Sequence, residues 1–191
     1  MNYINKVCSF TGYRTKKLNF CISKSALDYE SVEDCLRGEI VRMLDEDFNT
    51  FMCGMAIGAD MMFAKTVLEL KKKYPPPLIN FVAVIPCLDH DKRWNESDRE
   101  SGRIITAAAD EVVYVSEFRY YNGCMAKRNR YLVDNCDELI SIFDGQTGGT
   151  MQTINYAKGN GKKVTIIDPP RELIITLKES CESHRPLFGN I

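Results

Sequence analysis

"TFMCGMAIGADMMFAKTVLELKKKY", residues 50–74, contains one complete structural unit of the chain. A short apolar run typical of a buried strand is followed by a turn between Gly54 and Gly58, and then by an amphipathic run typical of a helix. The cations that end this run suit a helix C-terminus, and Pro75–Pro77 predict that the helix stops there. The order strand, glycine turn, helix is the repeating unit of a parallel α/β sheet.

The same alternation continues along the whole chain. Predicted strands lie at 6–12, 50–55, 79–86, 111–116, 138–145 and 163–168, and predicted helices at 31–47, 59–74, 97–109, 122–135, 149–159 and 171–182. The strands are almost continuously hydrophobic, which indicates burial on both faces. Because no repeat or break in composition marks a second unit, we predict one domain, residues 1–191, of class α/β with a mostly parallel central sheet.

Composition and charge limit the partners of this domain. The 25 Lys and Arg residues nearly balance the 26 Asp and Glu residues, so no global field attracts nucleic acid or an anionic membrane. The N-terminus has no basic segment followed by a long apolar one, and no 18-residue apolar span occurs. We therefore predict a cytoplasmic protein without a membrane partner. Its eight cysteines show no metal-ligand or CxxC spacing and are interpreted as small buried residues.

Three glycine-containing motifs follow predicted strands, where an open parallel sheet binds its ligands. They are "FTGYR" (10–14), "CGMAIGAD" (53–60) and "DGQTGGT" (144–150). In the first, Gly12 suits a tight turn, and Arg14 could donate to a phosphate or carboxylate. In the second, Asp60 either caps a helix or receives a ribose hydroxyl.

The third motif offers free helix amides at Gly149 and Thr150, an arrangement typical of phosphate binding. It is neither a Walker A loop nor a GxGxxG fingerprint, because the glycine spacing differs and no Lys-Ser/Thr pair follows. A kinase-like or ATPase mechanism therefore lacks its main parts.

Two further segments carry candidate binding residues. Trp94, the single tryptophan, follows the third strand, and either it or Tyr13 could stack on a nucleotide ring. His90 has no partner in the sequence that would suggest a metal site, so it is interpreted as solvated. In "KRNR" (127–130), helical rotation spreads the side chains around the axis, and we expect Arg128 and Asn129 to face one ligand.

Taken in order, these motifs resemble the YpsA/YoqJ-type proteins of the SLOG superfamily, which joins the DNA-processing protein DprA with the LOG enzymes. "CGMAIGAD" resembles the "SGxAxGID" turn of DNA-processing proteins, "KRNRYLVDNCDELISIFD" their "RNRIIAGLSD" segment, and "TGGTMQTINYAKGNGKKV" their "SGSLxTAxxAxxxGR" segment. The resemblance covers roughly residues 5–168. "FTGYR" and the spacing from Trp94 through Arg103 to "AAADEVVYVS" point to the YpsA/YoqJ group.

This resemblance implies a three-layer α/β/α Rossmann-like fold with a cleft for a nucleotide or a nucleotide-derived molecule such as NAD or ADP-ribose. The residues implied to line the cleft are Gly12, Arg14, Gly54, Gly58, Asp60, Arg128, Asn129, Gly149 and Thr150.

One position departs from the LOG pattern. LOG enzymes hydrolyse the N-glycosidic bond of nucleoside monophosphates with "MxxRK" and "PGGxGTxxE", and Thr153 stands where the catalytic glutamate is expected. A threonine supplies no carboxylate for an oxocarbenium-like centre or for general base catalysis.

Three hypotheses follow, and catalysis stays open among them. The first is a nucleotide-binding sensor or regulator without a fixed cofactor. The second is a hydrolase in which Asp60, Asp134 or Asp144 replaces the glutamate. The third, a single-stranded DNA binder, is disfavoured by the near-neutral charge. Rossmann-like domains of this size often pair through helices, so we also expect a homo-oligomer.

Overall fold

The protein forms one eight-stranded sheet flanked by helices. The computed structural model describes residues 5–74, 78–178 and 181–186. The strands are β1 (Lys6–Gly12), β2 (Phe48–Cys53), β3 (Asn80–Ile85), β4 (Glu111–Tyr114), β5 (Glu138–Ile142), β6 (Lys163–Asp168), β7 (Leu173–Lys178) and β8 (Cys181–Pro186). The helices are α1 (Thr15–Ile22), α2 (Tyr29–Asp45), α3 (Ala59–Lys73), α4 (Glu96–Ala107), α5 (Cys124–Asp134) and α6 (Gly149–Gly159).

The strand order is β4-β3-β2-β1-β5-β6-β7-β8. Strands β1 to β6 pair in parallel, whereas β7 and β8 add an antiparallel hairpin to the edge formed by β6. The chain therefore builds outward from β1 to β4 and then returns to add β5 beside β1. This reversal places the topological switch point of the sheet between β1 and β5, where open α/β sheets bind their ligands.

Helices cover both faces of the sheet, as the predicted α/β/α layering requires. On one face Phe10 of β1 stacks on Phe63 of α3, with ring centroids 4.7 Å apart. The neighbouring residue Ser9 points to the opposite face, where its hydroxyl donates to the carbonyl of Leu132 in α5 over 2.9 Å. Because side chains alternate along a strand, α3 and α5 lie on opposite faces of β1. The predicted fold class, α/β with a mostly parallel central sheet, is confirmed.

Three sequence-based assignments differ from the structure, and one of them is that strand β8 was not predicted. The helix predicted at 171–182 is wrong, because β7 begins at Leu173 and pairs with β6. The β-branched run Ile174, Ile175 and Thr176 suits an edge strand, and pairing with β6 outweighs the weak helical pattern. The eight-residue helix α1 is absent from the predicted elements, since it is too short to show a clear period.

The predicted helix starts and stops are close to the observed ones. Helix α2 begins two residues earlier than expected, after the N-cap Asp28, whose carboxylate accepts from the Ser31 amide over 2.8 Å. Helix α3 ends at Lys73, while Pro75–Pro77 lie outside the described residues. In the described part of the chain, no helix combines the length and the apolar character needed to cross a bilayer.

Candidate functional site

The loops that follow β1 and β5 are joined across the switch point. The Tyr13 hydroxyl donates to Asp144 Oδ1 over 2.5 Å, and the Thr150 hydroxyl donates to the carbonyl of Gly12 over 3.1 Å. Nearby, Lys17 Nζ donates to the carbonyl of Thr147 over 2.7 Å. These contacts hold the glycine-rich segment before α6 against the end of β1.

Hydrogen bonding shifts the titration of the Tyr13 and Asp144 pair in opposite directions. Burial and then the bond to Asp144 raise the pKa of Tyr13 above its usual range. Partial burial alone would raise the pKa of Asp144, but the bonds from Tyr13 and Gln146 outweigh it and hold this pKa below its ordinary value. Asp144 is therefore an ionised acceptor at neutral pH, already engaged by its neighbours.

A buried ion pair fills the space beyond the end of β2. Arg128 Nη1 lies 3.0 Å from Asp60 Oδ2, and both side chains are about 95% buried. The Asp60 carboxylate also accepts from the amide of Ala56 over 3.1 Å. Burial raises the pKa of Asp60 above its ordinary value, although the Arg128 guanidinium acts in the opposite direction. Among the described residues, Arg128 Nε has no hydrogen-bond partner.

Three of the predicted cleft glycines are in close contact with the protein itself. A Cβ added to Gly54 would lie 1.0 Å from Arg128 Nη1, so the guanidinium occupies the space that a ligand was expected to enter. A Cβ at Gly12 would lie 2.5 Å from the Cβ of Ala59. Gly58 has φ of +100° and lies against the backbone of Tyr13, which no other residue would tolerate without strain. These glycines permit close packing between the β1 and β2 loops.

Arg14 and Trp94 line a small cavity on this closed side. The cavity has room for about one water molecule and is lined by residues from the loops after β1, β2 and β3 and from α5. Arg14 is exposed, whereas Trp94 is partly buried and meets the His90 ring edge-on at 5.2 Å. Burial lowers the pKa of His90, so this ring is partly enclosed rather than solvated as predicted.

The other side of the switch point is open. A groove of about 580 Å³ lies between α5 and α6, lined by Ala126, Asn129, Arg130, Gly149, Gln152, Thr153 and Tyr156. A Cβ added to Gly149 would meet no atom within 4 Å. Helix α6 begins after Gly148 without a side-chain cap. Its first amides therefore have no side-chain cap at the positive end of the helix dipole.

Thr153 lies in the wall of this groove with its hydroxyl fully engaged. The hydroxyl accepts from Asn129 Nδ2 over 2.8 Å and donates to the carbonyl of Gly149, also over 2.8 Å. At the rim, the Arg130 guanidinium lies 6.0 Å from the centre of the Tyr156 ring. The groove thus offers amide, guanidinium and aromatic groups, which suits binding of an anion attached to a ring.

The structure divides the predicted site residues between the two sides. Asn129 and Gly149 line the open groove, and Thr150 is buried between the two sides, where its hydroxyl bonds to Gly12. The others belong to the closed side: Gly12, Arg14, Gly54, Gly58, Asp60, Trp94 and Arg128. Arg128 and Asn129 were expected to face one ligand, but their side chains line different cavities. This expectation is corrected because Arg128 turns inward to neutralise Asp60, while Asn129 turns to Thr153.

Sequence reasoning missed three residues of this region. Lys17 lies on α1, a helix that the pattern did not reveal. Arg130 was not among the residues expected to face the ligand, yet it lines the groove. Tyr156 could have been found, because it follows Gly149 by seven residues and hence lies on the same face of α6.

Comparison with known proteins places this geometry in a family. The family model described as "YspA SLOG family" matches residues 8–170. A UPF0398 protein of Brevibacillus brevis is 26% identical over 141 residues, 73% of each chain. The SPbeta prophage-derived protein YoqJ of Bacillus subtilis is 30% identical over 119 residues, which cover 56% of this chain and 68% of YoqJ.

Two solved structures share the fold. DNA processing protein A (DprA) from Streptococcus pneumoniae has a TM-score of 0.59 at 17% identity, and the match covers 85% of this chain and 50% of that one. DNA processing protein A from Helicobacter pylori, described by its single-stranded DNA binding mode, has a TM-score of 0.56 at 15% identity, with 84% and 64% covered. The chain thus spans only part of these two proteins. Because the family model spans most of the chain, the chain belongs to the YpsA family of SLOG proteins.

Proposed function

We propose that this protein binds a nucleotide or nucleotide-derived molecule in the groove between α5 and α6 and acts as a sensor or regulator. The observation that carries the proposal is the uncapped start of α6, where open space adjoins Gly149. Free amides at a helix N-terminus bind phosphate through hydrogen bonds and the helix dipole. Arg130 and Tyr156 stand at the rim to contact the remainder of the ligand.

The side chains that line the groove favour binding over hydrolysis. The seven residues that line it include no Asp or Glu. The three aspartates considered as substitutes for the missing glutamate all have partners: Asp60 pairs with Arg128, Asp144 accepts from Tyr13, and Asp134 accepts from Tyr156. N-glycosidic hydrolysis needs a carboxylate beside the scissile bond, and this groove offers a threonine there instead.

Calorimetric titration with ATP, NAD and ADP-ribose at millimolar concentration tests the proposal. We expect saturable binding of at least one of them, and no heat with any of the three would contradict the proposal. The matched variants are Gly149→Asp and Gly149→Asn. Both side chains fit the open space, and an aspartate near the helix start should leave α6 at least as stable.

The two variants separate charge from shape. The aspartate repels a phosphate at the first turn, so we expect Gly149→Asp to weaken binding about tenfold or more, while Gly149→Asn has a smaller effect. If both variants keep the wild-type melting temperature and bind the ligand with equal affinity, the phosphate does not bind at Gly149.

Hydrolysis is the second candidate, because the segment around Thr153 resembles the LOG pattern at Gly149 and Thr150, although Thr153 replaces the LOG glutamate. The wild-type protein and Thr153→Glu are to be incubated with nucleoside monophosphates and assayed for released base. Release by the variant alone would identify a LOG-type groove that lacks its acid. Release by the wild type would instead require a different carboxylate and would overturn the binding-only interpretation.

DNA binding is the third candidate and rests on the fold alone. A gel-shift with single-stranded DNA at low salt tests it, because phosphate contacts should make retardation strongly salt-dependent.

A further inference from the structure

A second and larger groove lies between helix α4 and the edge strand β4. It measures about 960 Å³ and shares no residue with the groove at Gly149. Its lining residues are Met55, Ile85, Leu88, His90, Asp91, Trp94, Arg99, Gly102, Arg103, Thr106, Ala107, Val112 and Tyr114. Trp94 and His90 separate it from the small cavity beside Arg128.

One wall of this groove is aromatic and rigid. The Trp94 ring packs so closely on α4 that a Cβ added to Gly102 would lie 3.0 Å from it. From the sheet side, Val112 and Tyr114 occupy alternate positions of β4 and remain 37% and 51% exposed. Since β4 is the terminal strand of the sheet, no further strand covers these side chains in the described structure. A planar ring could lie against both aromatic residues.

Two cationic side chains and one carboxylate line the groove: Arg99, Arg103 and Asp91. Glu96 lies 3.7 Å from Arg99 and Glu100 lies 3.4 Å from Arg103, which are long separations for ion pairs in contact with solvent. Arg99 Nη2 also donates to the carbonyl of Trp94 over 2.9 Å, which holds this guanidinium beside the ring. The ion pair of Arg103, whose side chain is 60% exposed, is weak and leaves this guanidinium able to bind another anion.

Two buried nitrogens in the same groove lack partners. His90 Nδ1 and Arg99 Nε are both inaccessible to solvent, and neither has a hydrogen-bond partner among the described residues. Unsatisfied buried polar atoms destabilise the groove as it stands, so a small side-chain movement that lets a ligand atom bond to either nitrogen would be favourable.

We propose that the groove between α4 and β4 binds a small organic anion with a planar aromatic ring. The ring lies against Trp94 and Tyr114, and the anionic group lies at Arg99 and Arg103. A strand of another protein could instead pair with β4. It would satisfy the free backbone hydrogen-bonding groups of β4 but would bring no anion to the guanidinium groups. The proposal does not depend on nucleotide binding at Gly149, because the two grooves are lined by different residues.

Trp94 provides the readout, since it is the single tryptophan of the chain. Its emission, excited at a wavelength that selects tryptophan, is recorded during titration with benzenesulfonate, an aromatic anion. Methanesulfonate supplies the charge without the ring, and benzyl alcohol supplies the ring without the charge. We expect a saturable change with benzenesulfonate at millimolar concentration and at least several-fold weaker responses with the other two.

Val112→Asp and Val112→Lys form the matched pair of variants, because both remove the same apolar contact at an exposed position. We expect Val112→Asp to bind benzenesulfonate about tenfold more weakly than Val112→Lys. Phe20→Ser removes an exposed ring on α1, outside both grooves, and should leave the affinity unchanged.

Three outcomes would overturn the proposal. The first is the absence of a saturable change in Trp94 emission. The second is equal affinity in the Val112→Asp and Val112→Lys variants. The third is a dimer, seen by sedimentation, that Val112→Asp dissociates while benzenesulfonate has no effect, because the groove would then be an interface between two copies.

Discussion

The two sides of the switch point use glycine in opposite ways. On the closed side, Gly54 lies directly under the Arg128 guanidinium, and the missing side chain makes room for a buried ion pair. On the open side, Gly149 has empty space where a side chain would be. A glycine next to a strand end therefore has two meanings, close internal packing or ligand access, and only the second makes a binding site. Three substitutions test this contrast, from the largest expected effect to the smallest.

Gly54→Ala should have the largest effect. The added methyl group would lie 1.0 Å from Arg128 Nη1, so the guanidinium must leave Asp60. Breaking a buried pair usually costs about 3–5 kcal/mol, and we expect a loss of this size in the free energy of unfolding, measured with denaturant. A loss below about 1 kcal/mol would mean that Arg128 is free to move and that the closed side can open.

A double-mutant cycle identifies the cause of that loss. Once Arg128→Ala has removed the guanidinium, Gly54→Ala no longer displaces it, and its additional cost should fall below about 1 kcal/mol. Fully additive costs would assign the effect of Gly54→Ala to the backbone rather than to contact with Arg128.

Tyr13→Phe should have an intermediate effect, because it removes the hydroxyl that joins the loops after β1 and β5. A hydrogen bond to a charged acceptor contributes about 1.5–3 kcal/mol, and we expect a loss near this range at pH 7. The bond also lowers the pKa of Asp144 in the folded state. Its contribution is therefore present above the unfolded pKa, about 3.9, and is lost as pH falls through the folded value.

Denaturant unfolding across pH 2–7 measures both parts of this prediction. The Tyr13→Phe variant should lose stability less steeply than the wild type below about pH 4, because its Asp144 is less perturbed. Asp144→Asn is the matched control and should show the same shallow acid limb. If the free energy of unfolding falls equally steeply with pH in the wild type and in Tyr13→Phe, the acid sensitivity does not come from this bond.

Gly149→Ala should have the smallest effect and the opposite sign. The methyl group meets no atom within 4 Å, and alanine favours a helix over glycine by up to about 1 kcal/mol. We expect the melting temperature to stay constant or rise slightly, as measured by circular dichroism. A marked loss of stability would show that the groove is packed like the closed side.

Much of this architecture could be read from local patterns. Strand-length apolar runs and helix-length amphipathic runs predicted β1 to β6 and five of the six helices, because period and burial are local properties. The segment at 171–182 was read wrongly because its short apolar run fits both a helix and a strand. Pairing with β6, a long-range contact, made it a strand.

For the predicted site residues too, the sequence predicted their positions in the fold but not their long-range partners. The motifs placed Gly54, Asp60, Arg128 and Gly149 at the carboxyl edge of the sheet, as the structure has them. Nothing in the spacing showed that Arg128 would cross 68 residues of sequence to reach Asp60, or that Asn129 would turn to Thr153.

The sequence by itself determined the order of β1 to β6 and of α2 to α6, the glycine-rich turns and the absence of a glutamate at Thr153. These features depend on residue type and on spacing along the chain. The tertiary structure alone decided which glycines are packed and which are open, and which cations are neutralised. The physical reason is that a buried charge must find its counterion in three dimensions, and the free space beside a helix terminus depends on what the distant loops bring to it.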